Sequence, residues 1–501
     1  MVEIRSDRKR PMAWMQVIGT STIVSVALAL SNHSTKVNIY NSQATSALYK
    51  LSDVPSLDGI GVTSILSENT RVAKSEGKGG GSKTKTIYVG TKRGKLKEVQ
   101  VKWSDSDSFC TGAATDEITV EDLQDTNGNI LKPYPIFSMM HVGTNSHVPV
   151  SASDDGSTRI GACILTGGGD RYITVWENYM EDMDISSVIS QPSDNEVNEN
   201  SNNWRWRVKA QLGPHTGWVK DLAYAYSSSS AMNESILFSI GCNCIEVWKY
   251  EGKDLRHFRK LVIESSVEMG STLSSDLLCL TTFKYEDGED GEDGKRRRAG
   301  DRTLSYLFAG GVDGRLHRWG LHEPFAQSGV VSAHNGRVNG ITICNELKVL
   351  VSIGNDSTIQ IREISREPFE SWDVSSLDLV KERIKGRDCK IPEPSVKITS
   401  ICIVLEDCQK AVVALGTSCG IVLLVEIVRS GTNMIMTLLK NYLTEIEHVG
   451  VIHALHCDQS ARSTRGDDNE IYNINIGHAN GLSIWEVSFP LISISRRILL
   501  D

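Results

Sequence analysis

One segment of the chain comes close to a nucleotide-binding loop. Residues 77–84 read Gly-Lys-Gly-Gly-Gly-Ser-Lys-Thr, and they depart from the phosphate-binding pattern because Ser82 stands where its second glycine belongs. That chemistry also requires a helix after the loop, so that backbone amides at the helix N-terminus meet the phosphate. The next segment, residues 86–90, has the composition of a strand instead. We therefore interpret residues 77–84 as a loop without nucleotide chemistry.

Other reactive side chains form no recognisable catalytic or metal-binding set. The eleven cysteines are scattered, many of them within apolar runs, which is typical of free thiols in a reducing compartment. Cys242 and Cys244 form a C-x-C pair with no second pair at zinc-ligand spacing. We recognise neither a Gly-x-Ser-x-Gly nucleophile elbow, which needs a strand-to-helix turn, nor a His-Glu-x-x-His motif or a paired Cys/His cluster. The sequence predicts a non-enzymatic protein without a metal ion or another cofactor.

The balance of charge argues against nonspecific binding to nucleic acid. Lysine and arginine number 53 against 62 acidic residues, which gives a net charge of −9, whereas such binding depends on neutralising phosphates. One local exception is the basic run 295–298, which directly follows the acidic run 286–294. Three interpretations of it remain open: a solvated loop, a nuclear localisation signal or a docking patch.

The elements that would position any site are short strands arranged in repeats. The repeated template has a few apolar residues, a small pair, a turn with Asp, Asn or Gly, and alternating apolar positions that end in Trp or a substitute. The clearest copies are residues 164–177 and 307–319. Weaker or degenerate copies bring the count to eight: residues 27–40, 87–101, 237–248, 349–364, 412–427 and 474–485.

Further alternating runs surround these hairpins. Residues 219–226 precede one copy and residues 255–263 follow it. A hairpin alone is marginally stable in water, so additional strands are needed to cover it. Four strands per unit, repeated with short connections, predict an all-β fold made of propeller blades, each of which buries both faces against its neighbours.

In these repeats the chain resembles the WD40-repeat proteins. In that family a His before the first strand, a Ser or Thr on the second, an Asp in the turn and a Trp on the third are joined by hydrogen bonds. The copies here are degenerate, because Asn243 replaces the Asp of one unit and Arg362 replaces the Trp of another. The resemblance implies structural roles for ten residues: His215, Trp248, Asp170, Trp176, Asp313, Trp319, His334, Ser352, Asp356 and Trp485.

We predict a single WD40-type β-propeller over residues 12–501, with residues 1–11 as a flexible N-terminal segment. Eight repeat units are counted, and seven blades, the commoner number in the family, is the alternative. A second alternative concerns the basic and then apolar N-terminus, which we interpret as part of the first unit but which resembles a targeting segment. Long polar and disordered insertions are expected near residues 104–116, 144–159, 186–203, 286–302 and 366–394.

The resemblance implies a protein-interaction scaffold, with partners at the face around the central channel. Trp218 and Arg337 occupy matching positions just before the first strands of their blades, where partners of WD40 proteins commonly dock. Trp204 and Trp206 alternate with arginines on an outer strand and are further candidates, since Trp and Arg are favoured interface anchors. Packing under the neighbouring insertion is the alternative for this Trp pair.

We expect partner proteins within a multi-subunit complex, in the cytoplasm, the nucleus or both, and no membrane association. The alternative function is an accessory subunit of an RNA-processing or RNA-modifying complex, in which any contact with RNA would be indirect. An enzymatic propeller is the weakest alternative, because no set of catalytic residues is evident.

The propeller assignment predicts that Trp176 packs between blades. Replacing a large buried aromatic side chain leaves a cavity, so Trp176→Ala should lower the free energy of unfolding by about 3–5 kcal/mol. Urea unfolding followed by fluorescence measures this change. A loss below about 1 kcal/mol would mean that Trp176 is not part of a packed core.

Overall fold

The structure is a computed structural model, and it consists of β-strands throughout the residues it describes. The described residues are 2–4, 13–15, 30–31, 34–35, 47–53, 60–67, 71–73, 82–104, 117–123, 133–142, 158–181, 204–226, 235–251, 254–263, 276–285, 304–321, 324–364, 374–378, 396–431, 433–439, 444–445, 450–458 and 469–490.

The first five strands precede the first blade. They are β1 (Val2–Ile4), β2 (Ala13–Met15), β3 (Leu30–Ser31), β4 (Ser34–Thr35) and β5 (Ala47–Asp53). Among the described strands, β1 and β2 pair only with each other, and so do β3 and β4. β5 is different, because it joins a sheet at the other end of the chain.

Seven antiparallel sheets follow, each with four strands along its main path. Blade 1 contains β6 (Val62–Ser67), β7 (Arg71–Ala73), β8 (Ser82–Thr91), β9 (Leu96–Ser104) and β10 (Glu117–Asp122), with β7 paired to β8. Blade 2 contains β11 (Ile136–Val142), β12 (Thr158–Gly168), β13 (Ile173–Glu181) and β14 (Trp204–Leu212). Blade 3 contains β15 (Val219–Tyr226), β16 (Ser235–Gly241), β17 (Cys244–Glu251) and β18 (Asp254–Val262).

The other four blades follow the same order. Blade 4 contains β19 (Leu277–Tyr285), β20 (Leu304–Gly311), β21 (Arg315–Gly320) and β22 (Gln327–Ser332). Blade 5 contains β23 (Val338–Cys344), β24 (Val349–Gly354), β25 (Thr358–Glu363) and β26 (Val374–Asp378). Blade 6 contains β27 (Ile398–Glu406), β28 (Lys410–Thr417), β29 (Ile421–Ser430), β30 (Asn433–Leu438) and β31 (Thr444–Glu445), with β31 paired to β29. Blade 7 contains β32 (Ile452–Asp458), β33 (Asn469–His478) and β34 (Gly481–Pro490), with β5 as its outer strand.

The inner strands close into a ring. Each first strand contacts the first strand of the next blade, and β32 of blade 7 contacts β6 of blade 1. The ring is completed by β5, which pairs with β34 from Ala47 opposite Ser488 to Asp53 opposite Ser483. A strand from the N-terminal part of the chain therefore completes the blade formed by the C-terminal part.

Aliphatic side chains fill the space between neighbouring blades. Val351 and Ile353 of β24 lie in one buried cluster with Val413 and Leu415 of β28. Both strands read as nearly continuous apolar runs, because each blade has a neighbour on either face. These two strands are therefore buried on both faces and do not alternate between apolar and polar side chains.

The propeller prediction is confirmed, with the seven-blade alternative in place of the eight units counted. The unit at residues 27–40 was miscounted: its described part contains only the pair β3 and β4. A repetitive apolar pattern can form a hairpin without forming a blade, and the contact of β32 with β6 already closes the ring. A second difference lies at Val374–Asp378, which forms the outer strand β26 inside the expected insertion 366–394.

The remaining expected insertions lie mainly outside the described residues. The structure assigns their ends to strands, at Ser104 of β9 and at Thr158 of β12.

Closure by β5 predicts a sharp difference between two truncations. Removing residues 1–53 deletes β5, whereas removing residues 1–46 leaves it intact. Six residue pairs join β5 to β34, so the longer deletion should cost at least about 3 kcal/mol of unfolding free energy relative to the shorter one. Urea unfolding of both truncated chains measures the difference. Equal stabilities would contradict the closure, and a large loss on removing residues 1–46 would mean that the ring begins before β5.

Candidate functional site

Two kinds of connection lie on the same side of the ring. Because neighbouring strands are antiparallel, the turn between the second and third strands and the link from the fourth strand to the next blade lie at the same end of each sheet. In blade 3 the two meet where the Thr216 hydroxyl donates to the Gly241 carbonyl oxygen at 3.0 Å. We call this side, which includes the adjoining strand ends, the turn face.

His215 holds the link into blade 3 to the second strand of that blade. Its Nδ1 lies 3.1 Å from the carbonyl oxygen of Arg171, which can only accept, so Nδ1 carries the proton. Nε2 then accepts from the Ser239 hydroxyl at 2.7 Å, and the Ser239 oxygen accepts from the Trp248 indole at 2.9 Å. Burial lowers the pKa of His215, which keeps it neutral in this chain of bonds. Sequence reasoning had named His215 and Trp248 but not Ser239.

His334 holds blade 5 in a similar way. It contacts the Ser352 hydroxyl through Nε2 at 2.9 Å and the Asp356 carboxylate through Nδ1 at 3.1 Å. Asp356 also accepts from the backbone amide of Asn335 at 2.8 Å. Burial lowers the pKa of His334, although the Asp356 charge opposes this shift. Arg362, in the place of Trp, is buried on the third strand, where it donates to its neighbour Gln360 at 3.2 Å.

The other tryptophans of the repeat are buried. Trp176 is 1% exposed, and its indole nitrogen donates to the Thr166 hydroxyl at 3.3 Å. Trp319 stacks on His317, with 5.8 Å between the ring centroids and 20° between the planes. Trp485 is buried in the core of blades 6 and 7. These contacts support structural roles for the three side chains.

The turn aspartates bond to the backbone of their own turns. Asp170 accepts from the amide of Tyr172 at 3.2 Å, and Asp313 accepts from the amide of Arg315 at 3.1 Å. Each carboxylate thus replaces a missing backbone partner in a tight turn. Both residues are positioned to shape the turn face rather than to perform chemistry on it.

All seven inner strands have a β-bulge at the second residue, next to the turn face. The register shifts after the first residue of every inner strand. Bulges release a residue from the ladder and redirect its side chain, and they are frequent beside functional sites. The bulged residues are Thr63, Phe137, Lys220 (with Asp221), Leu278, Asn339, Thr399 and His453.

Three of the bulged residues join their blade to the next one. The Thr63 hydroxyl donates to the carbonyl oxygen of Ile136 at 2.6 Å, and the Thr399 hydroxyl donates to that of Ile452 at 2.5 Å. Asn339 makes the same kind of bond from blade 5 to blade 6. In each case the acceptor belongs to the first residue of the next inner strand. These junctions therefore use their bulged side chains to hold the ring together.

Asp221 links three consecutive blades. Its Oδ1 accepts from the Ser138 hydroxyl of blade 2 at 2.9 Å and from the Leu222 amide at 2.9 Å, while Oδ2 accepts from the Leu280 amide of blade 4 at 2.8 Å. Burial raises the pKa of Asp221 to about 6, although the three hydrogen bonds oppose the shift. No sequence motif pointed to this residue.

An exposed aromatic and cationic cluster lies between blades 2 and 3 on the turn face. Trp218 is 52% exposed and stacks on Phe137, with 5.6 Å between the ring centroids. The Lys220 ammonium lies 4.1 Å from the centroid of Phe137 and 4.5 Å from that of Trp218. Such contacts between a cation and aromatic faces fix the two rings. Sequence reasoning named Trp218 but not its two partners.

The other sequence candidates have different surroundings. Arg337 is exposed at the start of blade 5, where its Nε donates to Asn339 at 2.9 Å. Trp206 is only 9% exposed: it packs edge-on against Tyr88 of blade 1 and donates to Glu98 at 3.3 Å. We therefore leave Trp206 out of the candidate surface. The side chain of Trp204 lies outside the described part of the structure.

Tyr134 and Val262 extend the exposed apolar surface of this region. They are 48% and 54% exposed, at the turn-face ends of blades 2 and 3 respectively. Neither was named from the sequence, because an isolated apolar residue near a turn carries no motif. Aligning the residues that begin each inner strand would have identified Phe137 and Lys220, which occupy the same position in successive blades.

One pentapeptide on the turn face has the pattern of a catalytic serine motif. Residues 416–420 read Gly-Thr-Ser-Cys-Gly, but they form the turn between β28 and β29 rather than a strand-to-helix elbow. The Ser418 hydroxyl accepts from the amide of Lys397 at 3.0 Å and so holds the link from blade 5. Among the described residues no three His, Cys, Asp or Glu side chains come together as metal ligands. Within the same residues, no helix is long and apolar enough to cross a membrane.

Comparison with known proteins gives a distant structural similarity without a family match. No protein-family model matches the sequence, and no curated protein is significantly similar to it. Among solved structures, a chain in the crystal structure of a mitotic checkpoint complex is 12% identical, with a TM-score of 0.42, over 80% of this chain and 83% of that one. The fold is that of a seven-bladed β-propeller. Seven sheets in a ring, each with four strands along its main path, show this fold, and in blades 3 and 5 a His–Ser contact holds the link to the second strand.

The buried carboxyl of Asp221 predicts a pH dependence of stability. Its pKa is raised from 3.8 to about 6, so the folded protein binds this proton more tightly than the unfolded chain does. Above about pH 6 the buried carboxylate is ionised and lowers the free energy of unfolding by on the order of 3 kcal/mol. Lowering the pH towards 4 protonates it and restores most of this free energy. Asp221→Asn should therefore lose stability relative to the wild type as the pH falls from 7 to 4. Urea unfolding of both proteins measures this, and parallel curves would contradict it.

Proposed function

We propose that this protein is a non-catalytic scaffold that binds other proteins through the turn face of its propeller. The observation that carries the proposal is the exposed apolar surface at blades 2 and 3. Among the described residues, five large hydrophobic side chains are exposed, and three of them, Tyr134, Trp218 and Val262, lie at the turn-face ends of these two blades. Exposed apolar side chains that are gathered in one region are characteristic of interaction sites.

The geometry of Trp218 suits a binding anchor. Its ring is already held by Phe137 on one side and by Lys220 nearby, so little side-chain freedom is lost when a partner covers it. Trp is also among the residues that contribute most to the energy of protein interfaces. A preordered, half-exposed Trp at the rim of a rigid ring supports a docking role.

The carboxylates near the turn face are used in the structure of the protein itself. Asp170, Asp313 and Asp356 hold turns, and Asp221 accepts hydrogen bonds from three groups in the wall of the ring. A glycosidase-type propeller would need two carboxylates facing a substrate instead. This use of the acidic residues supports a scaffold rather than an enzyme.

Removing the anchor should abolish capture of partner proteins. Tagged wild-type protein and Trp218→Ala, purified from the cells that make it, are compared by quantitative mass spectrometry of the associated proteins. We expect at least one stoichiometric partner to fall about tenfold or more in the variant, which matches the loss of an interface hot spot.

Phe258→Ala is the matched control. Phe258 is an exposed aromatic residue of the same blade, but it lies on the outer strand β18 away from the turn face. Its partners should be those of the wild type, and both variants should keep wild-type unfolding curves. Equal partner lists for the wild type and Trp218→Ala would refute the proposal. Partners that are lost after ribonuclease treatment of the wild type would favour the RNA-complex alternative.

A further inference from the structure

In the described turns and blade connections of the turn face the exposed charges have one sign, although Glu121 is exposed at the turn-face end of β10. Within these segments, the ionised side chains classed as exposed are all cationic, although the whole chain carries a net charge of −9. They come from four blades: Lys92, Arg93, Lys95, Arg171, Arg337 and Lys397. The acidic residues of the same segments are at least half-buried, and Asp170, Asp313 and Asp356 are bonded to turn amides. These described segments thus present positive charge on a negatively charged protein, although the Lys95 ammonium is paired with Asp122 at 2.7 Å.

Two of the cations lie at the turn-face ends of inner strands. Lys220 lies on the inner strand of blade 3 and Arg337 lies just before that of blade 5. Burial lowers the pKa of Lys220, and the positive charge of Arg337 lowers it further. The Asp276 carboxylate opposes this shift, so charges of both signs surround Lys220. An anion bound at Lys220 or at Arg337 would form a charge-assisted contact.

One exposed apolar residue lies beside Lys220. Trp218 directly precedes the inner strand of Lys220 and contacts its ammonium at 4.5 Å. Tyr134 and Val262 lie at the same end of blades 2 and 3. A ligand that reaches the Lys220 ammonium therefore passes next to the exposed ring of Trp218. Its chemistry has to combine negative charge with an apolar side chain.

We infer that the turn face binds an acidic peptide segment of a partner protein, with its carboxylates at Lys220 and Arg337 and an aromatic or aliphatic side chain against Trp218. This inference rests on the proposed function and identifies the chemistry of the partner. The other exposed cations of the face attract the segment without setting its register, because charges in solvent act over a Debye length of roughly 8–10 Å.

A peptide fits this arrangement better than a nucleic acid does. The cations come from four blades around the ring, whereas a nucleic acid strand, with a charge at every nucleotide, favours a continuous basic track. The exposed Val262 has no use in base stacking but can pack against an aliphatic or aromatic side chain of a peptide. The net charge of −9 also opposes a long polyanion more than a short acidic segment.

The test is fluorescence anisotropy with a labelled peptide that has Glu at alternating positions and one central Phe. The comparison probes are the same peptide with Gln for Glu, and a single-stranded oligouridine RNA. We expect the acidic peptide to bind the full-length protein at least about tenfold more tightly than the Gln peptide and than the RNA. Raising NaCl from about 50 to about 200 mM should weaken it several-fold, as screening of exposed charges requires.

Four variants locate the site. Arg337→Gln and Lys220→Gln should each weaken the acidic peptide about five- to tenfold, the loss of one charge-assisted contact. Trp218→Ala should weaken the acidic and the Gln peptide by similar factors, because it removes the apolar contact common to both. Arg256→Gln is the matched control, since Arg256 is an exposed arginine on the outer strand β18. It should change the affinity less than twofold.

The outcomes separate this inference from the proposed function. No binding of the acidic peptide, equal binding of the Gln peptide, tighter binding of the RNA, or no effect of Arg337→Gln would each overturn the acidic-segment inference. If Trp218→Ala still loses its cellular partner in those cases, the scaffold function stands and only the chemistry of the partner is wrong. Because Lys220 also holds two aromatic rings, the Arg337 variant, whose side chain is exposed, is the decisive one.

Discussion

The pairing of β5 with β34 is the contact on which the rest of the ring depends. It supplies the outer strand of blade 7, and blade 7 packs on blade 1 through Leu482 and Ile484 against Val62 and Ile65. Every blade of a propeller buries both faces, so an open ring would expose two apolar faces at once. The two ends of the folded region are therefore held in one sheet, and the other blade interfaces are retained because neither end can separate.

Closure also constrains the inner strands, which have to approach one another around the axis. Each one meets this constraint with a bulge at its second residue, and the bulged side chains at three junctions bind the carbonyl oxygen of the next blade. Where a junction uses Asp221 instead, Phe137 and Lys220 are left to form the cluster with Trp218. The residues that hold the ring and the residues available for binding thus occupy equivalent positions, and the side chain at each position determines which role it takes.

The blades share one pattern of strand pairing, but different residues form the hydrogen bonds that stabilise them. Blade 3 uses His215, Ser239 and Trp248, whereas blade 5 uses His334, Ser352 and Asp356 and has Arg362 in place of the Trp. A hydrogen-bonded set near the turn face can be replaced in part because most of the stability comes from apolar packing between the blades. This explains why the repeats are degenerate while the strand pairing is regular.

The sequence by itself determined the class of fold and many of its strands. Alternating apolar residues between turn residues placed a strand at residues 219–226 with the bounds that the structure has, because local burial and local turn chemistry set them. The sequence did not determine the blade count, because an apolar hairpin near residue 30 reads like a repeat until the ring is seen to close without it. Nor did it show that Trp206 packs against blade 1 or that Phe137 and Lys220, distant in the chain, come into contact. These features were decided by tertiary structure alone, because they depend on which blades become neighbours and on how the bulges turn side chains at their shared end.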